Sequence, residues 1–246
     1  MTTEAKFTRQ VQAGELVNPW LILGPFYHDL SASVQGLTYF EKPGATVGRA
    51  AMADIMQDAA PLLGQMPREG ESAAFRGLTA RWALVRRPEK YLSWGTYNIS
   101  NTLGAAFLST VITAEQPRTQ EWRLLTRIST RAVVAINGQI IFDSEAQPVS
   151  PVGGIYEYHF SASLDAGESV LMVALFRLAR MAQVGFRLEP VGGALVAHVP
   201  LGAGMTLAQR VAVEEQVASM RLARDVFYPQ HEIGISVGRP TPAGVT

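Results

Sequence analysis

The stretch Tyr91-Leu-Ser-Trp94-Gly-Thr-Tyr97-Asn98-Ile-Ser-Asn101 brings three aromatic rings and two carboxamides close together. An aromatic face is a flat apolar platform, and a carboxamide both donates and accepts hydrogen bonds. Together they suit a ligand with one apolar face and a rim of hydroxyls. The same rings have a second use, because Trp94 and Tyr97 turned inward would be ordinary core of a β domain. Other chemistry finds less support. His28, His159, His198 and His231 are far apart and show no H-x-x-x-H spacing, and the chain has no cysteine, so no metal site is assigned. Phe26-Tyr27-His28-Asp29 sets a histidine beside a carboxylate, but no Gly-flanked serine accompanies it and the stretch reads as a solvated loop. Glu41, Asp143, Glu145 and Glu157 are available as paired carboxylates, yet nothing in the sequence singles any of them out. Gly202-Ala-Gly204 lacks a G-x-G-x-x-G pattern, a Walker lysine and a preceding βαβ unit. No catalytic residue is assigned.

The elements that must position these groups are mostly strands. Thr79 to Arg87 alternates Trp82 and Leu84 against Arg81 and Ala83. Ala105 to Thr113 is rich in β-formers, and Glu121 to Ile128 carries Trp122, Leu124 and Thr126 at period two. Trp20, Trp82 and Trp122 are expected in the core. Ala132 to Ile136, Asn137-Gly138 and Gln139 to Phe142 spell a hairpin, since Asn-Gly accepts the positive φ angles of a type I′ turn. Ile155 to Ser161, Ser169 to Arg177 after the Asp165-Ala-Gly167 turn, and Val184 to Leu188 complete the set. No helix-length crossover separates consecutive strands, so an antiparallel sandwich is expected and not a parallel sheet. Two stretches read as helical. Thr46 to Leu63 ends at Gly64 and Pro67, and Thr206 to Val226 opens on Thr206-Leu-Ala-Gln209, which has capping-box spacing.

The chain has 246 residues, 48% of them hydrophobic, with 21 basic against 21 acidic side chains. That composition argues against disorder, and the scattered Arg and Lys leave no electrostatic footprint for nucleic acid or an anionic membrane. The longest apolar runs are strand-sized, and the first residues show no apolar signal segment, which favours a cytoplasmic location.

Three ordered stretches resemble the galactose-binding-like jelly-roll modules attached to bacterial glycoside hydrolases. Asn18-Pro-Trp-Leu-Ile-Leu-Gly-Pro-Phe26 is similar to their W-x-x-x-G-P-F opening strand. Ile128 to Gly138 is similar to their S-x-D-x-V-x-V-x-I-N-G hairpin, and Leu164 to Val173 to their L-x-x-G-x-N-x-L-x-V strand. Arg131 stands where Asp is usual and Ser169 where Asn is usual, so those side chains carry nothing over from the family. The insertion from Thr46 to Gly64 has no matching counterpart. The resemblance implies a mainly β jelly-roll sandwich with one or two flanking helices. It also implies a structural calcium ion as a possibility, although no run of alternating Asp and Asn supports one.

The expected organisation is an N-terminal lead over 1–17, a sandwich over 18–200 with the helical insertion near 46–64, a helix or linker over 201–228, and an edge strand or the start of a further domain over 229–246. The functional expectation is a non-catalytic carbohydrate-binding or ancillary module of a larger carbohydrate-active enzyme. Its ligand-binding residues would be Tyr91, Trp94, Tyr97, Asn98 and Asn101, and its partner a carbohydrate or a neighbouring catalytic domain. The alternatives are an assembly domain that packs the helix from Thr206 on a partner, and a stand-alone hydrolase.

Overall fold

The structure is a computed structural model that describes residues 6–29, 54–85, 92–94, 102–127, 130–146, 155–177, 184–202, 206, 208–212, 215, 221–222 and 235–236. The chain divides into two units, Phe7–Pro200 and a second formed by Met1–Lys6 with Leu201–Thr246.

The described residues of the larger unit form fourteen strands: β1 (Lys6–Val11), β2 (Trp20–Asp29), β3 (Ser72–Phe75), β4 (Leu78–Arg81), β5 (Ala83–Val85), β6 (Leu92–Trp94), β7 (Thr102–Ala114), β8 (Arg118–Arg127), β9 (Thr130–Ile136), β10 (Gln139–Asp143), β11 (Ile155–Leu164), β12 (Gly167–Arg177), β13 (Val184–Val191) and β14 (Leu195–Pro200). One sheet has the order β6-β13-β8-β11, and the other contains the order β7-β12-β9-β10. From β6 onward the chain crosses between these sheets at almost every connection, the β9–β10 hairpin excepted. This is the double Greek key of a jelly roll. β14 and β1 extend the second sheet beyond β7, and β2 and β5 join it as well.

The alternating strands supply the interior. Trp122, Leu124, Phe186 and Leu188 from the first sheet pack against Leu108, Ile112, Val134, Leu171, Val173 and Leu175 from the second, and all are buried. Trp20 on β2 meets Phe186 on β13 edge-on at 5.6 Å, and its indole Nε1 donates to the Val17 carbonyl. Buried aromatic and aliphatic side chains of this kind contribute about 2–3 kcal/mol each. Trp20, Trp82 and Trp122 are core, as the alternation predicts.

Two turns follow directly from residue chemistry. Asn137 and Gly138 have φ of 50° and 82° and join β9 to β10, with Gln139 opposite Ile136. Their backbone conformation is the one a type I′ turn requires. The Asn137 side chain then reaches out of its own hairpin. Its Oδ1 accepts from Val170 N–H at 2.8 Å, while Asn137 N–H donates to the Val170 carbonyl at 2.9 Å. The Asn137 amide also donates to the Ser169 hydroxyl at 3.4 Å, so Ser169 stands at the join between the hairpin and β12.

Gly24-Pro25 forms a bulge that shifts β2 against β7 between Leu23 and Phe26. Gly24 has φ of 101°, and a Cβ there would lie 3.0 Å from the Ala105 carbonyl oxygen, so only glycine fits this approach without strain. Past the bulge β2 resumes, and His28 pairs with Leu103 on β7. His28 is therefore a partly buried strand residue and not part of a solvated loop, because the bulge absorbs the turn chemistry of Gly-Pro without ending the strand.

The other face of the second sheet is buried too. Phe107 on β7 and Phe176 on β12 lie 6.2 Å apart there, and Phe75 from the β3–β4 hairpin packs on Phe107 at 5.0 Å. Residues 54–59 form a helical turn that continues into a 3-10 turn at Ala60–Leu62, and Ile55, Ala59, Leu62 and Leu63 are buried. Within the insertion read from Thr46, residues 54–63 thus bury four apolar side chains, and Asp58 accepts from Arg76 of the β3–β4 turn. The strand read over Thr79 to Arg87 is broken at Trp82. Its first half pairs with β3 and its second with β2, because the Trp82 backbone instead bonds Glu71 and Gly70.

In the smaller unit the capping box forms as its spacing predicts. Gln209 N–H donates to Thr206 Oγ1 at 3.2 Å, and Thr206 N–H donates to Gln209 Oε1 at 2.9 Å. The helix it opens stops short of Val226, since Arg221–Leu222 (β15) pairs antiparallel with Ile235–Ser236 (β16). The strand read near Ile235 therefore has β15 as its described partner.

Candidate functional site

Apart from the two-residue step at 128–129, the jelly roll sorts its connections by length between its two ends. Short turns at 115–117, 137–138, 165–166 and 192–194 join strands at one end of the sandwich. At the other end Asp29 on β2 is opposite Thr102 on β7, Arg177 on β12 is opposite both Gly104 and Thr130, Ile155 on β11 is opposite Arg127 on β8, and Val184 on β13 is opposite Trp94 on β6. Every one of these residues is the first or last of a strand, Gly104 on β7 excepted. The strand ends before residue 30 and flanking residues 95–101, 128–129, 147–154 and 178–183 are accordingly all at this one end. Connections gathered at one end of a rigid sandwich are where binding residues are usually carried.

The described residues at this end are polar and cross-tied. Arg131 on β9 donates to Asp143 on β10 through both Nε (3.0 Å) and Nη2 (2.5 Å), a bidentate fork, and its Nη1 meets Glu145. Asp143 also accepts from Glu145 N–H at 3.0 Å, and Ser144 Oγ accepts from Ala132 N–H at 2.9 Å, which fixes the 3-10 turn Ser144–Ala146 against β9. Tyr158 lies behind this rim against Phe142, with ring centroids 5.2 Å apart, and its burial raises its hydroxyl above the ordinary tyrosine range. On the second face His28 packs edge-on against Phe75 at 5.5 Å, and its buried Nε2 has no hydrogen-bond partner among the described residues. Burial first, and the Arg76 guanidinium second, hold His28 below the ordinary histidine range, while Asp58 pulls the other way. Arg76 itself sits at φ of 49°, in the left-handed region, and donates to Asp58 at 2.7 Å. That bond ties the β3–β4 turn to the helical turn at 54–59.

The backbone of Trp94 ends β6, paired with Val184. Tyr91, Tyr97, Asn98 and Asn101 lie outside the described residues, as does the side chain of Trp94. Arg131, Asp143 and Glu145 form a cluster that sequence reading missed. Its one signal was the near-symmetric placement of Arg131 and Asp143 about Asn137-Gly138, which a hairpin turns into neighbours. Glu157 is not part of this cluster. It lies on the exposed face of β11, 2.9 Å from His159. Among the described residues no group of three or more His, Asp or Glu side chains is placed to hold a metal ion. Nor, among them, is any helix long and apolar enough to cross a membrane.

No protein-family model and no curated protein matches the chain. Solved structures that resemble it are glycoside hydrolases. One is a beta-glucosidase from Kluyveromyces marxianus in complex with glucose, at 11% identity and a TM-score of 0.37, covering 61% of this chain and 18% of that one. Another is an uncultured Clostridium sp. beta-glucuronidase, at 12% identity and a TM-score of 0.31, covering 82% of this chain and 30% of that one. The chain spans less than a third of the length of either, and both likenesses are weak.

Proposed function

We propose that this chain is a non-catalytic module of a larger carbohydrate-active enzyme, and that it binds carbohydrate at the end of the sandwich where the long connections gather. The observation that carries the reading is the topology. β6 ends at Trp94 and β7 begins at Thr102 at that end, and the sequence between them includes Tyr97, Asn98 and Asn101. A pyranose needs an aromatic platform for its apolar face and amides for its hydroxyls, and this segment supplies both residue types. The described carboxylates of the rim, Asp143 and Glu145, are held by Arg131, which suits a fixed polar border.

The test is binding of the purified chain to a broad glycan panel beside its Trp94→Ala variant. One stacked aromatic contributes about 1 kcal/mol, so the variant should lose roughly fivefold to tenfold in affinity for any sugar the chain binds. Silence from the native chain across the panel, or equal binding by both proteins, would refute the assignment.

A further inference from the structure

A β-sheet edge exposes unpaired N–H and C=O groups, and natural proteins blunt such edges with charge, bulges, brevity or a covering segment. Most edges of this sandwich are blunted in one of these ways. β10 is broken by a register shift between Ile140 and Phe142. β1 carries the charged Arg9, paired with Glu15. β6 has only three residues, and beyond it the free side of β13 is met by Gly14 N–H on the Pro190 carbonyl and Val17 N–H on the Leu188 carbonyl.

β11 has none of these devices beyond a single carboxylate, Glu157, which lies 2.9 Å from His159 on the same face. It is ten residues long, holds unbroken register with β8 throughout, and contains no proline, lysine or arginine. Among the described residues no strand pairs with its other side. Its sequence is self-complementary about Tyr158. Antiparallel pairing of two β11 strands on a two-fold axis through Tyr158 sets Glu157 opposite His159 of the second copy, and the symmetry repeats the pair. On the opposite face Tyr156 falls opposite Phe160, again twice. Glu157 and His159 are exposed on the outer face, and they already form a 2.9 Å contact within one chain, so their chemistry is complementary as placed. Tyr156 and Phe160 are partly buried hydrophobics at the margin of the core, with surface left to cover.

We infer that β11 is a homodimerisation edge, its partner a second copy of this chain, joined through antiparallel β11 pairing centred on Tyr158. The two four-stranded sheets then form one continuous sheet across the axis, and cross-strand Glu157–His159 and Tyr156–Phe160 pairs fix the register.

The test is sedimentation equilibrium of the full 246-residue chain over a micromolar concentration series, with two variants. His159→Glu sets like charges opposite each other twice across the axis. Within its own chain the new carboxylate lies beside Glu157 as well as Arg123, its register partner on β8, so a thermal melt of the variant is run alongside to separate loss of fold from loss of the dimer. Glu157→Lys combined with His159→Glu restores opposite charges across the axis. The native chain should dimerise, the single variant should weaken the dimer at least about tenfold, and the double variant should recover it. A native chain that stays monomeric throughout the series overturns the inference. So does a dimer that His159→Glu leaves intact, which would place the contact elsewhere.

Discussion

Replacing Asn137 separates two contributions that the hairpin turn combines. The residue sits at φ of 50°, and its Oδ1 accepts from Val170 N–H at 2.8 Å. Holding a residue with an ordinary Cβ in the left-handed region costs about 1–2 kcal/mol, and losing the side-chain bond costs about 1 kcal/mol. Asn137→Ala incurs both costs, about 2–3 kcal/mol. Asn137→Gly removes the backbone strain but loses the bond and adds chain entropy to the unfolded state, about 1–1.5 kcal/mol. Asn137→Asp keeps an acceptor for Val170 and tolerates the same φ, so it costs less than about 1 kcal/mol. The assay is urea unfolding of the four proteins, followed by tryptophan fluorescence, with thermal melts as a check. For a unit of this size the alanine variant should lose roughly 5–10 °C in Tm. The diagnostic result is the order, alanine worse than glycine and glycine worse than aspartate. If alanine is no worse than glycine, or if all three lie within about 0.5 kcal/mol of the native chain, the turn is not set by these two terms.

Three further outcomes follow from the packing. Gly24→Ala forces a Cβ to 3.0 Å from the Ala105 carbonyl oxygen and strains a φ of 101°; a loss of about 2–3 kcal/mol by urea unfolding is expected, and a neutral result would mean the bulge can move. Glu189 is fully buried between Arg123, whose Nε donates at 2.7 Å, and Arg187; replacing both arginines by methionine isolates that carboxylate and should cost about 3–5 kcal/mol, whereas Glu189→Gln should cost less. His28 binds its proton less readily in the folded chain than the ordinary value of 6.5, so acid favours the unfolded chain and stability falls as pH drops through 6.5. His28→Phe should flatten the change in unfolding free energy between about pH 7.5 and about pH 5.5, and an unchanged slope would remove His28 from the account.

Much of this fold is written locally. The Asn137-Gly138 turn, the period-two burial of Trp122, Leu124 and Thr126, and the Thr206–Gln209 capping box all depend on residues a few positions apart, and sequence patterns report such distances well. What failed depends on distant partners. Nothing local distinguishes Arg81 from Ala83 as belonging to different sheets, because the hydrophobic alternation runs unbroken through Trp82 while the pairing changes there from β3 to β2. Gly24-Pro25 carries the residues of a turn, and only its pairing against β7 shows that it is a bulge which delivers His28 to a half-buried position. The Arg76-Gly77 turn escaped notice because arginine is a poor left-handed residue, and the Asp58 contact that accompanies it is remote in sequence. The Arg131–Asp143–Glu145 cluster was hidden for a related reason. Arg131 was read as a departure from a resembling motif, and its partners come from across the hairpin. The aromatic and amide content of Tyr91 to Asn101 was plain in the sequence. That β6 and β7, the strands on either side of residues 95–101, lie in opposite sheets was not legible there, because it depends on pairing partners distant in sequence.

The most direct measurement of the central claim is hydrogen–deuterium exchange of the native chain with and without millimolar glucose, galactose and their β-linked disaccharides. The account predicts slower exchange confined to peptides that end β6 and begin β7, around Trp94 and Thr102, with the Asn137-Gly138 end unchanged. Protection at the short-turn end, or none at either end with any of these sugars, would contradict it.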